Sequence, residues 1–201
     1  MRSAVSYALI AIIGGAVGAG VTQSGVIYDK VVRHLTAAPE YPDDFWSTPA
    51  VEGYGKIHYE ADAAFKPVVG LSNKVVFQIN HSDGAMTAPN TGLKRVARVV
   101  NLYIASGIPA DQLQFVVSVN GKATPAMLDN THFKQLYGTD NPNLKLISEL
   151  NKIGVKVSVC DQAVAFHHYP KNWIDKSVIH ALSSLTTVST LQNQGYAWLL
   201  M

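Results

Sequence analysis

Gly154-Val155-Lys156-Val157-Ser158-Val159-Cys160-Asp161-Gln162 is the stretch that decides the fold of this chain. From Val155 to Val159 apolar and polar residues alternate, β-branched side chains dominate, and Gly154 provides a turn in front. Together these read as a β-strand. Asp161-Gln162 and an apolar run follow and open a short helix over residues 162–168. Just past the carboxyl ends of strands is where an open parallel sheet lines its ligand crevice. Cys160, the only cysteine of the chain, stands there. A thiol at a helix N-terminus meets partial positive charge, which favours the reactive thiolate. Asp161 acts the other way, because a carboxylate beside a thiol raises its pKa. The plainer alternative is a small buried hydrophobe, a common role of free cysteine.

Working outward, the same strand-to-helix alternation recurs. Lys74-Val75-Val76-Phe77-Gln78-Ile79-Asn80 reads as a strand whose nearly continuous apolar centre suits burial on both faces. Leu93, Val96, Val100 and Ile104 follow at helical spacing over residues 92–106, and Gly107 is the expected C-cap. A second strand is predicted over 114–119, ending at Asn120-Gly121. Short helices are expected over 132–137 and from about 143 to 153. After Cys160 come a strand near 178–182, a helix over 185–194 and a last strand over 196–200. Strands alternating with helices predict an α/β fold, with a mostly parallel sheet and helices on both faces.

Composition narrows the classes of function. An apolar fraction of 48% against 15% charged residues supplies a proper core. A net charge of +2, with no stripe of Lys and Arg, leaves no footprint for nucleic acid. One cysteine excludes an intrachain disulfide and any zinc site built on paired cysteines. Neither G-x-G-x-x-G nor a P-loop motif occurs, so no nucleotide cofactor is expected. No Gly-x-Ser-x-Gly surrounds a candidate serine. His167-His168 invites a metal reading, but adjacent residues point to different sides of a helix and no third ligand is suggested, so no metal is expected.

The N-terminus is a separate signal. An uncharged stretch over residues 4–21 follows Arg2 and is long enough nearly to cross a bilayer core. It reads as a secretory signal peptide, with Gly18-Ala19-Gly20 as small residues for cleavage, or as an uncleaved anchor. The anchor is preferred, because uncharged residues continue through Ile27 and Gly14, Ala16, Gly18 and Gly20 offer small-xxx-small spacing for a neighbouring helix. The domain organisation is then an anchor or signal helix with its stalk over 1–35, a Pro/aromatic-rich extended linker over 36–73, and an α/β domain over 74–201. In the linker Pro39, Pro42 and Pro49 alternate with Tyr41, Phe45 and Trp46, whose rings need cover from the domain, a second subunit or the membrane interface.

Three strand ends converge in this reading: Asn80-His81, Asn120-Gly121 and Cys160-Asp161. The candidate site is Cys160 as nucleophile, with His81 and Asn120 as auxiliary binding groups. Each has a structural alternative, since His81 can cap a loop and Asn120-Gly121 is also a turn signal. Trp173 and Trp198 are read as packing residues.

The first strand Lys-Val-Val-Phe-Gln-Ile, the helix from Gly92, Val157-Ser158-Val159-Cys160 and the ending Leu191-Gln192-Asn193-Gln194-Gly195-Tyr196-Ala197 resemble the DsrE/DsrF-like sulfur-relay proteins. The resemblance runs from Lys74 to Leu200. It implies a three-layer α/β/α fold, assembly as a trimer or hexamer, and sulfur carried as a persulfide on a cysteine at the end of the third core strand, where Cys160 stands. The hydrophobic N-terminus and the linker depart from the small cytoplasmic members. They imply a domain on the periplasmic side of a bacterial inner membrane. Two functions are therefore expected to compete: a membrane-tethered sulfur carrier acting through Cys160, and a non-catalytic accessory or scaffold subunit of a membrane complex.

Overall fold

Five strands, each rich in branched or aromatic residues, pair side by side in parallel in a computed structural model that describes residues 41–82 and 85–201. They are β1 (Lys74–Ile79), β2 (Gln114–Val119), β3 (Lys156–Cys160), β4 (Ile179–Ala181) and β5 (Ala197–Leu200), in the order β4-β3-β2-β1-β5. The helices are α1 (Thr91–Ala105), α2 (Asn130–Tyr137), α3 (Leu144–Lys152), α4 (Asp161–Phe166) and α5 (Ser184–Asn193). This is the parallel α/β architecture predicted from the alternation of periods. The anchor or signal helix expected over residues 1–35 lies outside the described residues. Among the described residues no helix is long and apolar enough to cross a membrane.

Register fixes which side chains share a face. Val75, Phe77 and Ile79 of β1 stand beside Phe115, Val117 and Val119 of β2, and Val117 and Val119 beside Val157 and Val159 of β3. All of these are buried and join Leu93, Val96 and Val100 of α1 and Leu146, Ile147 and Leu150 of α3 in one core. Phe77 and Tyr103 both meet Phe115 edge-on, at 5.2 and 5.0 Å between ring centres. Alternation then sends Gln78 and Ser118 to the opposite face, where both reach Ser184 at the start of α5. Helices thus lie on both sides of the sheet.

The helix ends follow their capping residues. Asn90 accepts from the backbone N–H groups of Gly92 and Leu93, and Asp129 accepts from that of His132. Gly138 closes α2 in the left-handed conformation.

The compact unit that contains the sheet starts at Asp44. Part of the segment read as linker therefore folds with the domain. Ser47 and Ile57 form an antiparallel bridge, and Val51 and Ile57 are buried. One side chain ties this strap to α1: buried Asn101 accepts from the N–H groups of Ala50 and Val51 and donates to the carbonyls of Tyr54 and Gly55. Gly55 lies so close to α1 that a Cβ there would sit 2.3 Å from the Arg98 nitrogen. The ring of Phe45 stacks on His58 at 3.7 Å.

Candidate functional site

β2 and β3 stay in register to Val119 and Val159, so the residues that follow, Asn120 and Cys160, lie at the same rim, with Cys160 still paired to Ala181 of β4. The end of β2 is bonded to the end of β1. Asn120 N–H donates to Ile79 O at 2.9 Å and Lys122 N–H to Asn80 O at 3.0 Å. Gly121 turns there with φ of 55°, and a Cβ on it would meet the Asn80 carbonyl oxygen at 2.7 Å. The Asn120-Gly121 turn signal and the candidate site therefore coincide.

Cys160 is the last residue of β3 and the N-cap of α4. It is 5% exposed, yet it stands outside the continuous hydrocarbon core. Its side forms part of an open hollow of about 460 Å³, together with Asn120, Gly121, Lys122, Phe166 and His167. The start of α5 closes the far wall with Ser184 and Leu185. Asn120 brings an unused group to this place, because its Oδ1 is buried without a hydrogen-bond donor.

The imidazole in the hollow is His167. It follows Cys160 by seven residues, two helical turns, which places it on the same side of α4. Its Nε2 lies 2.9 Å from the carbonyl oxygen of Gly121, which can only accept, so Nε2 carries the hydrogen. The ring also stacks on Tyr169 at 5.2 Å. In the sequence His167 stands out only as half of an adjacent His pair, whereas its i, i+7 spacing from Cys160 is the signal that places it at this site. His81 is not among the residues lining the hollow. Its Nδ1 pairs with Asn80 Oδ1 at 2.9 Å, and its carbonyl accepts from the side chain of Asn90. Of the three candidate residues, Cys160 and Asn120 come together and His81 stands apart.

Asp161 turns to a lysine and a histidine. Lys171 Nζ lies 2.7 Å from one carboxylate oxygen and His180 Nδ1 2.6 Å from the other. Burial pushes its pKa up, but these hydrogen bonds and the charges of His180 and Lys171 outweigh burial and hold the carboxyl below the usual carboxylate range. Its charge is thus engaged by partners of its own. No group of three or more His, Cys, Asp or Glu side chains is arranged to hold a metal ion among the described residues. Trp173 stacks on His132 at 4.4 Å, consistent with a packing role. Trp198 instead lies half-exposed on edge strand β5, where its Nε1 donates to Gln78 Oε1.

A parallel α/β domain with its single thiol at the end of the third strand defines the class, and the family model agrees. The DsrE/DsrF-like family matches residues 73–200, and the chain belongs to that family. Among solved structures, a protein of unknown function from Methanobacterium thermoautotrophicum is similar at 17% identity and a TM-score of 0.42. The alignment covers 63% of this chain and 97% of that one. No curated protein matches.

Proposed function

We propose that this chain is a membrane-tethered sulfur carrier in which Cys160 holds sulfane sulfur as a persulfide. The observation that carries the reading is the position of Cys160: at the end of β3, largely shielded from water, and on the wall of a hollow. Membership of a family associated with sulfur relay supports it. The chemistry is a displacement at sulfur. The Cys160 thiolate attacks the outer sulfur of a donor, a new S–S bond forms, and the donor's remaining fragment leaves with the electron pair of the broken bond. An acceptor thiolate then attacks the outer sulfur and releases Cys160 as thiolate. Shielding lengthens the life of such an adduct by keeping stray thiols away.

Incubation with inorganic polysulfide followed by intact-mass measurement tests the carrier. One added sulfur atom on the wild type and none on Cys160→Ser is expected. An unmodified wild type, under conditions that load a control carrier, would refute it.

The tether and the periplasmic side rest on the uncharged stretch over residues 4–21. Retention in membranes after alkaline extraction, with the domain open to protease in spheroplasts, is the expected result. A second reading, an accessory or scaffold subunit that self-associates or joins a membrane complex, draws on exposed apolar side chains: Phe166 is 88% exposed, and Leu182 and Leu185 are similarly open. Gentle detergent extraction that yields only a free monomer would remove that reading. A complex that survives Cys160→Ser with full function would favour it over the carrier.

A further inference from the structure

The loop that leads into β1 exposes apolar side chains that the fold does not use. Phe65 is fully exposed, and Val68, Val69 and Leu71 are each more than half exposed. Phe65 also holds a left-handed φ of 55°, a strained conformation for a bulky residue that no burial of its ring offsets. Leu71 N–H donates to Val68 O at 3.3 Å and Gly70 has a φ of 91°, so residues 68–71 close a β-turn with Val69 at its corner. A Cβ on Gly70 would meet nothing within 4 Å, so the turn is open around that corner. Residues 63–73 contain no acid, and Lys66 directs its ammonium to the carbonyl of Ala61. Three Cα steps, at most about 11 Å, separate Leu71 from Lys74, the first residue of β1. The turn therefore sits toward the amino-terminal rim of the parallel sheet. Cys160 stands at the carboxyl rim, one strand length of about 20 Å away.

We propose that this turn dips into the surface of a lipid bilayer and so directs the Cys160 rim toward water, an inference that rests on the tether reading of residues 4–21. Two observations favour lipid as the occupant. A protruding apolar corner suits a partner that deforms around it, and interfacial apolar groups settle about 5–10 Å into the headgroup and acyl boundary. The tether is the other. Residues 22–43 span at most about 75 Å, so a chain held by residues 4–21 keeps the turn at high local concentration against the lipid. A weak second contact is then enough to set orientation. With the turn engaged, the thiol rim faces the aqueous side, where soluble donors and acceptors reach it.

The test uses the full chain in a Cys160→Ser background, with one cysteine introduced as Val69→Cys or, at the opposite rim, as Phe166→Cys. Each variant is labelled with a polarity-sensitive fluorophore and reconstituted in protein-free vesicles of phosphatidylethanolamine and phosphatidylglycerol. Val69→Cys is expected to give blue-shifted emission that a shallow nitroxide lipid quenches, and Phe166→Cys an aqueous emission that it leaves unquenched. Phe65→Ser should weaken the quenching at position 69 without moving the urea midpoint, because the ring is fully exposed. Aqueous emission at both positions, in vesicles that retain the chain, would overturn the lipid contact and leave the tether intact. Quenching of Phe166→Cys in place of Val69→Cys would overturn it too. Shielding of Val69→Cys in native membranes but not in protein-free vesicles would make the occupant a protein and overturn the lipid assignment. Failure of the full chain to float with vesicles would overturn the tether and the contact together.

Discussion

The two faces of the sheet are made from alternate residues of the same strands, yet they are built of different chemistry. One presents Val75, Phe77, Ile79, Phe115, Val117, Val119, Val157 and Val159 to α1 and α3 and is hydrocarbon throughout. The other presents Gln78, Ser118, Ser158 and Cys160, with Val76 and Val116 between them. Hydrocarbon burial is non-directional and stabilises in proportion to area. Hydroxyl, amide and thiol groups contribute little net stability but can hold a ligand or carry a bond change. The first face holds the fold together, and the second carries the candidate chemistry.

The sharpest way to separate the faces is a deletion in the first. Phe77→Ala removes a fully buried ring from between the sheet and α1, and is expected to cost about 3–5 kcal/mol in urea unfolding. A loss under about 1 kcal/mol would mean that the hydrocarbon face does not dominate stability. Next in size is Asn101→Ala. It strands four backbone groups of the strap and is expected to cost about 2–3 kcal/mol, with early proteolytic cleavage over residues 47–57. If the strap were held by Val51 and Ile57 alone, protease resistance would persist.

That strap also marks where the sequence stops being legible. The strands and helices from Lys74 onward announce themselves because each carries a period, two for β3 and 3.6 for α1, that burial imposes on composition. Residues 44–57 carry no period. Their hold is one amide on α1 that bonds backbone atoms 46–51 residues earlier, and backbone atoms leave no trace in composition. At the site, Cys160 and Asn120 were legible as strand ends. His167 is hidden because its place depends on the length of α4, and His81 is held by Asn80 and Asn90 and is not among the residues lining the hollow.

The second face has a test of its own. Trp198, Gln78, Ser184 and Ser118 form a chain of hydrogen bonds running from β5 through β1 and α5 to β2. Ser184→Ala breaks two links and leaves Ser118 and Gln78 short of a partner, an expected cost of about 1–2 kcal/mol. Trp198 emission should shift as Gln78 is released. A loss as large as that of Phe77→Ala would erase the distinction between the faces.

Acid separates the rim from both faces and is the smallest effect. Asp161 and Asp129 both have pKa values lowered on folding: burial raises each, and it is outweighed by hydrogen bonds and charge from Lys171 and His180 for Asp161 and from His132 for Asp129. A carboxyl whose folded pKa lies below its unfolded one binds its proton more readily when unfolded. Its stabilisation is therefore complete above the unfolded value, about 4, and is lost as pH falls from there through the folded value. Stability should fall on acidification below about pH 4. Asp161→Asn should cost about 1 kcal/mol at neutral pH and make the acid slope shallower, leaving the part due to Asp129. Phe77→Ala should lower the whole curve and leave its slope unchanged, because its register partners Val117 and Leu199 and the Phe115 ring it meets do not titrate. An unchanged slope in Asp161→Asn would show that Lys171 and His180 meet this carboxylate without stabilising the fold.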